Sequence, residues 1–146
     1  APYRAYATRD SDLVVAAGSD GLFRRLAQVL GHPEWIEDAT FATNPKRVEN
    51  QAVLYGLIEI EMAKRTNAEG IALLEAAGIP CAPVQNVAEM VAHEQTAALG
   101  LLQDVPGSKM KFVGLPVSFD GARPALRSRP PALGEHTGEL FKNAGR

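Results

Sequence analysis

The chain has 146 residues, 46% of them hydrophobic, enough material for the core of one folded domain. Seventeen acidic side chains against fifteen basic ones leave a formal charge of -2. Such a balance offers no strong field to collect phosphates, so nucleic acid and anionic membrane surfaces are excluded as expected partners. The longest uninterrupted apolar run, Leu13 to Gly18, is far short of the roughly 20 residues needed to span a bilayer.

The first residues, APYRAYATRD, begin directly in a strand-like alternation without an initiator Met, a basic n-region or an apolar h-region. The expectation is a chain that starts mid-protein or was trimmed. A single cysteine, Cys81, has no internal disulfide partner and suits a reducing compartment, so the expected location is cytoplasmic.

In chain order, Tyr3 to Thr8 and Leu13 to Ala17 are aromatic and β-branched runs separated by the polar Arg9-Asp10-Ser11-Asp12, which predicts a hairpin. Ser19 or Asp20 can cap a helix carrying Leu22, Phe23, Leu26 and Leu30 at helical spacing, with Gly31 placed to end it. Pro33 suits the start of a short helical turn, and Trp35 and Phe41 are expected packing anchors. Asn44-Pro45 opens the longest predicted helix, to about Arg65, with Val48, Ala52, Tyr55, Ile58 and Met62 along one stripe. Gly56 inside it signals either a close neighbour or a local weakness.

Thr66-Asn67-Ala68-Glu69 matches a capping box and starts a helix that stops at Gly78; Asn86-Val87-Ala88-Glu89 repeats the pattern. Between them, Pro80 and Pro83 enforce an extended path across Ile79 to Val84 that cannot be a central strand. Leu101 to Val105 and Met110 to Leu115 flank Pro106-Gly107-Ser108-Lys109 and predict a second hairpin. From Gly121 to Pro131 prolines alternate with Arg123, Arg127 and Arg129, the pattern of a tail running over another surface, and a last helix is expected from about Thr137 to Asn143. The fold class is therefore α+β, with short antiparallel hairpins, several helices and an extended Pro/Arg-rich tail.

Candidate chemistry is sparse. His32, His93 and His136 lie in three different segments without an i, i+4 partner, so no metal site is expected. The serines lack a nucleophile-elbow setting, and Cys81 between prolines reads as a small buried hydrophobe. His32 and His93 read as loop or helix-end residues, and His136 as a cap or flank of the last helix. Gly18-Ser19-Asp20-Gly21 follows a strand and opens a helix but lacks the spacing of a nucleotide fingerprint. Asp20 has two readings, a helix N-terminal charge favoured by the macrodipole or an active-site group.

Taken in order, the segments APYRAYAT, DLVVAAGSDGLFRRLAQVLG, HPEW, FATNPKRVEN, GIPCAPV with its following VAEM helix, and RPPALGEHTGEL resemble the class III coenzyme A transferases. That group contains formyl-CoA and carnitine CoA-transferases and alpha-methylacyl-CoA racemase. The markers of the resemblance are Gly78 to Val84 and Leu133 to Thr137.

The resemblance implies a much longer enzyme, with a large Rossmann-like domain holding CoA and a small α+β lid domain over the active site. Residues 1–120 would be that lid and residues 121–146 the tail returning to the large domain. It implies that an aspartate of the large domain attacks an acyl-CoA thioester, giving an acyl-aspartyl anhydride and then an enzyme-bound CoA thioester. The nucleophile, and a glycine-rich loop expected just before Ala1, match nothing in this chain. It further implies acyl-CoA and carboxylic acid substrates, no tightly bound cofactor, and a homodimer.

Asp20 stands where the racemase branch has a glutamate, which makes it the candidate facing the active site; the shorter side chain favours a transferase. Ala82 stands where many relatives have Gly in a CGPV motif. Two alternatives follow, a fragment of a racemase and a stand-alone interaction domain binding an acyl-CoA or a protein without chemistry.

Overall fold

A computed structural model describes residues 1–144, with side chains to Lys142. The chain divides into two compact units, Ala1–Val84 and Gln85 onward. This is a division by packing, different in kind from the expected one by role at 120/121.

The first unit opens with the expected hairpin, β1 (Tyr3–Ala7) and β2 (Asp12–Ala16), paired antiparallel so that Tyr6 faces Leu13. The turn closes through the Thr8 N–H donating to Ser11 O at 2.8 Å. On one face of the pleat Tyr6, Leu13 and Val15 are fully buried, and these supply the sheet's share of the core. Helix α1 (Asp20–Leu30) follows, and Ser19 is its cap: its Oγ accepts from the Leu22 N–H. Gly31, at φ +86°, ends the helix in the left-handed conformation. Phe23, Leu26, Ala27 and Leu30 bury its inner face. Short α2 (Glu34–Glu37) buries Trp35, and Phe41 is buried just beyond it.

The longest predicted helix is two helices. Asn50, at φ -104° and ψ 22°, breaks the path between α3 (Asn44–Glu49) and α4 (Gln51–Met62). The buried stripe is also rotated from the expected one: Val48 and Ala52 face solvent, while Arg47, Leu54, Ile58, Glu61 and Met62 are buried. Apolar periodicity alone points to the wrong stripe, since the inward position nearest the helix start is an arginine.

The Thr66–Glu69 capping box is fully formed on α5 (Asn67–Ala76), and Gly78 at φ +64° takes the chain out of it. The two-proline segment is extended, as expected, and Cys81–Pro83 forms β3 at the edge of the sheet, order β1-β2-β3. An edge position leaves the missing proline N–H without consequence. In this unit the buried cluster runs continuously from Tyr6 to Ile79.

The second unit contains α6 (Val87–Ala92), whose Asn86–Glu89 capping box is complete, and α7 (Glu94–Ala98). Strands β4 (Leu102–Asp104) and β5 (Lys111–Val113) make the second hairpin. Asp120 and Gly121, both at positive φ, form a tight turn closed by paired bonds between Phe119 and Ala122. Helix α8 (Thr137–Ala144) ends the described residues. Among the described residues of this unit, Val105 is the one large apolar side chain that is buried. No helix of the described residues is long and apolar enough to cross a membrane.

Candidate functional site

The candidate Asp20 occupies the first turn of α1, directly after the strand β2, where the macrodipole favours a negative charge. A second cause holds it there. Arg47 of α3 has a fully buried side chain, and its Nη2 donates to Asp20 Oδ1 at 2.7 Å. The same guanidinium donates from Nη2 to Gly18 O at 3.2 Å, from Nη1 to Phe41 O at 3.0 Å, and from Nε to Ala1 O at 2.7 Å. Asn44 adds a bond from Nδ2 to Gly18 O at 2.7 Å. Below the guanidinium, its Cζ stands 4.5 Å from the centre of the Phe23 ring, a cation over an aromatic face.

One buried cation thus ties together the start of the chain, the β2–α1 turn and the loop before α3. Burying an isolated charge would be strongly unfavourable, but three carbonyls and a carboxylate leave this one well satisfied. The Asp20 side chain remains 47% exposed, so it has a bound half and a solvent-facing half. The Arg47 hydrogen bond, and behind it the Arg47 charge, holds its carboxyl below the ordinary value despite partial desolvation. At neutral pH Asp20 is an anion, able to accept hydrogen bonds or repel a carboxylate but poor at donating a proton.

The other candidates are dispersed. His93 caps α7, its Nδ1 accepting from the Gln95 N–H at 3.1 Å. His136 precedes α8 and lies 3.6 Å from Glu139. His32 sits at the turn between α1 and α2 with carboxylates on both sides. Cys81 is half-buried in β3, where burial pushes its thiol up, the opposite of an activated nucleophile. Among the described residues no group of three or more His, Cys, Asp and Glu gathers as metal ligands, and no ligand-sized pocket is formed.

The family pattern described as CoA-transferase family III matches residues 1–137. The chain belongs to CoA-transferase family III. An acyl-CoA transferase of Fusarium pseudograminearum is 38% identical over 99% of the chain, which covers 33% of that protein. An acetyl-CoA:oxalate CoA-transferase of Acetobacter aceti is 33% identical over 97% of it, covering 36% of the relative. Among solved structures, a CAIB/BAIF family protein from Brucella suis superposes with a TM-score of 0.75 at 34% identity, over 98% of the chain and 37% of that protein. The chain therefore spans about a third of the length of the curated relatives it matches.

The two segments that mark CoA-transferase family III can be placed in the fold. The family segment Gly78 to Val84 is the turn and edge strand that complete the sheet beside β2, so it is structural in this unit. The Leu133 to Thr137 segment is a turn with Gly134 at φ +79°, in which Glu135 pairs with Arg129 through two bonds of 2.9 and 2.5 Å. Sequence reasoning missed Arg47, because it placed the neighbouring Val48 on the inward stripe instead. The available signal was its spacing: Arg47, Leu54, Ile58 and Met62 are seven, four and four residues apart, a helical stripe with a charge at its head.

Proposed function

We propose that residues 1–120 are the lid domain, and residues 121–146 the returning tail, of an enzyme that transfers CoA between carboxylic acids through an enzyme-bound anhydride. The observation that carries this reading is the family match over 1–137 in a chain a third as long as its transferase relatives. Those relatives include a formyl-CoA:oxalate and a succinyl-CoA:glutarate CoA-transferase, and a CoA thioester with an acceptor acid is the substrate class. The nucleophilic carboxylate and most of the CoA site belong to the rest of the enzyme, working as a homodimer without a tightly bound cofactor. The lone Cys81 suits a reducing compartment such as the cytoplasm.

In this arrangement Asp20 is the lid's residue nearest the chemistry. Carboxylate attack on a thioester depends on geometry and on donors for the oxyanion, and a displacement of about 1 Å can lower the rate on the order of 100-fold. Fixed by Arg47, Asp20 is a stationary negative wall that orients an incoming acid rather than a proton shuttle, which favours transfer over racemisation. The exposed Leu133, Leu140, Phe141 and Phe119 favour a domain that docks on further protein over a self-contained binding module.

Purified alone, the 146-residue chain should show no CoA transfer between acids, whereas the full-length enzyme should turn over. Robust turnover by the chain alone would sink the reading. In the full-length enzyme, Asp20→Asn should lower kcat at least tenfold with the fold intact; an unchanged kcat removes Asp20 from the site while leaving the transferase reading standing. Deuterium uptake beside the thioester carbonyl would instead support racemisation.

A further inference from the structure

His32 follows the left-handed Gly31, and its N–H donates to Ala27 O at 2.8 Å, so the end of α1 fixes where its ring projects. That ring stacks flat on Trp35, centroids 4.4 Å apart and planes 2° from parallel. Its Nδ1 lies 2.7 Å from Glu34 Oε1, and its Nε2 lies 3.1 Å from Glu61 Oε1. A neutral imidazole carries a single N–H, and its other nitrogen would point a lone pair at a carboxylate. Only the imidazolium carries a proton on both nitrogens, giving a hydrogen bond to Glu34 and an ion pair with Glu61, and its charge over the indole face adds a favourable contact.

We propose that His32 is a pH-sensitive clasp which, as an imidazolium between Glu34 and Glu61, pins the α1–α2 corner to the last turn of α4. The groups around it reinforce that state. Glu34 approaches from α2 with its side chain mostly in water, while Glu61 approaches from α4 with its side chain 9% exposed. Lys64 binds Glu61 Oε1, the oxygen that also faces His32, at 2.5 Å, and Arg65 Nη1 lies 3.9 Å from Oε2, so the carboxylate is held in its charged form. Among the described residues no other acid or base pairs with the ring.

The hydrogen bonds to Glu34 and then to Glu61 raise His32 above its ordinary 6.5. A base raised on folding contributes stability that is complete below 6.5 and disappears as pH rises through the folded value. The two glutamates are shifted the other way. The His32 bond lowers Glu34, and the Lys64 and then the His32 bonds lower Glu61, so their contribution holds above 4.5 and fails only as pH falls through their folded values. The clasp is shut below 6.5 and opens as pH rises through the folded value above it.

Trp35 is the chain's single tryptophan, which makes it a built-in reporter, because a stacked imidazolium quenches indole emission. Titrating the full 146-residue chain should show Trp35 emission rising with pH, with a midpoint above 6.5. Glu61→Gln should move that midpoint down, and His32→Gln should abolish the step. A midpoint at or below 6.5, or an unchanged step in His32→Gln, overturns the proposal. Should a variant fail to fold, ring nitrogen chemical shifts of the unmutated chain at pH 6.5 decide: two protonated nitrogens on His32 support it, one refutes it.

Discussion

Two arginines show how the two units differ. In the first unit Arg47 is completely buried, and its guanidinium is met by three backbone carbonyls and the Asp20 carboxylate. In the second, Arg123 reaches Leu99 O at 3.4 Å, while its Nε and Nη1 are shut off from solvent without a protein partner, as is Gln103 Oε1. The first unit gathers fifteen buried apolar residues into one cluster; in the second, Leu133 is fully exposed, and Leu140 and Phe141 project from α8 into solvent. Unpaired buried polar atoms occur in both units, since Tyr6 Oη and Asn67 Oδ1 of the first also lack a partner among the described residues, so the difference lies in the core: the first unit has a continuous one and the second does not. Exposed apolar side chains clustered on a small, thinly cored unit are the mark of a docking surface, and Phe119, Leu133, Leu140 and Phe141 give the second unit that character.

The sharpest way to break this comparison is to delete the same ring in both units. Phe23 is 2% exposed and Phe141 74%. Phe23→Ala leaves a cavity beneath Arg47 and should cost about 3–5 kcal/mol, whereas Phe141→Ala should stay within about 0.5 kcal/mol in the isolated chain. Chemical denaturation of both variants measures the difference, and equal effects would mean that α8 is packed in solution. In the full-length enzyme the contrast should shrink, because there Phe141 is expected to meet a partner surface.

The next largest effect belongs to Arg47. Arg47→Met keeps the volume roughly but strands the carbonyls of Phe41 and Ala1, each a loss of about 1–3 kcal/mol, while Gly18 O keeps its bond from Asn44. A drop in Tm of more than about 10 °C is expected for a unit of this size. Arg47→Lys should recover part of it, since an ammonium can reach some of the acceptors but cannot present the planar fork. If Arg47→Met is no less stable than the unmutated chain, the cluster contributes nothing net, as happens when a buried ion pair is exchanged for packed apolar groups.

Much of the first unit is legible in the sequence because local signals and tertiary outcome agree there. The hairpin at Arg9–Asp12, the Thr66 capping box and the Gly31 and Gly78 stops are each decided by a few neighbouring residues. What escaped depends on residues far apart in the chain. Arg47 acquires its burial from Asp20, Gly18, Phe41 and Ala1, and nothing in its own neighbourhood announces them. The break at Asn50 has a similar origin: α3 is turned so that Arg47 meets that cluster, and α4 restarts with Leu54 and Ile58 inward. The Asp120-Gly121 turn, in contrast, is readable from its dipeptide, although it straddles the start of the Gly121–Pro131 stretch. Of the candidate site, the position of Asp20 could be read from the strand-to-helix junction, but not its partner.

The smallest expected effects come from two glycines, and they separate packing from propensity within the better-packed unit. The sequence leaves Gly56 with two explanations, a close neighbour or a weak point. A Cβ built at Gly56 meets nothing within 4 Å, so the second explanation holds for α4. Gly56→Ala should then stabilise the chain by about 0.5–1 kcal/mol, the ordinary gain of alanine over glycine inside a helix. The close neighbour exists elsewhere, at Gly70 in α5, where a Cβ would stand 2.9 Å from Leu13 Cδ2 and 3.2 Å from Met62 Cε. There the same helical gain is opposed by overpacking of about 1–3 kcal/mol, so Gly70→Ala should be neutral to destabilising by up to about 2 kcal/mol. Because Leu13 and Met62 are both fully buried, neither tip has room to swing away. Opposite signs for the two substitutions in one denaturation series would show that the first unit is packed tightly where β2 meets α5 and loosely along the outer face of α4. Equal stabilisation at both sites would mean that Leu13 and Met62 yield easily, and that the first unit's core is softer than its burial implies.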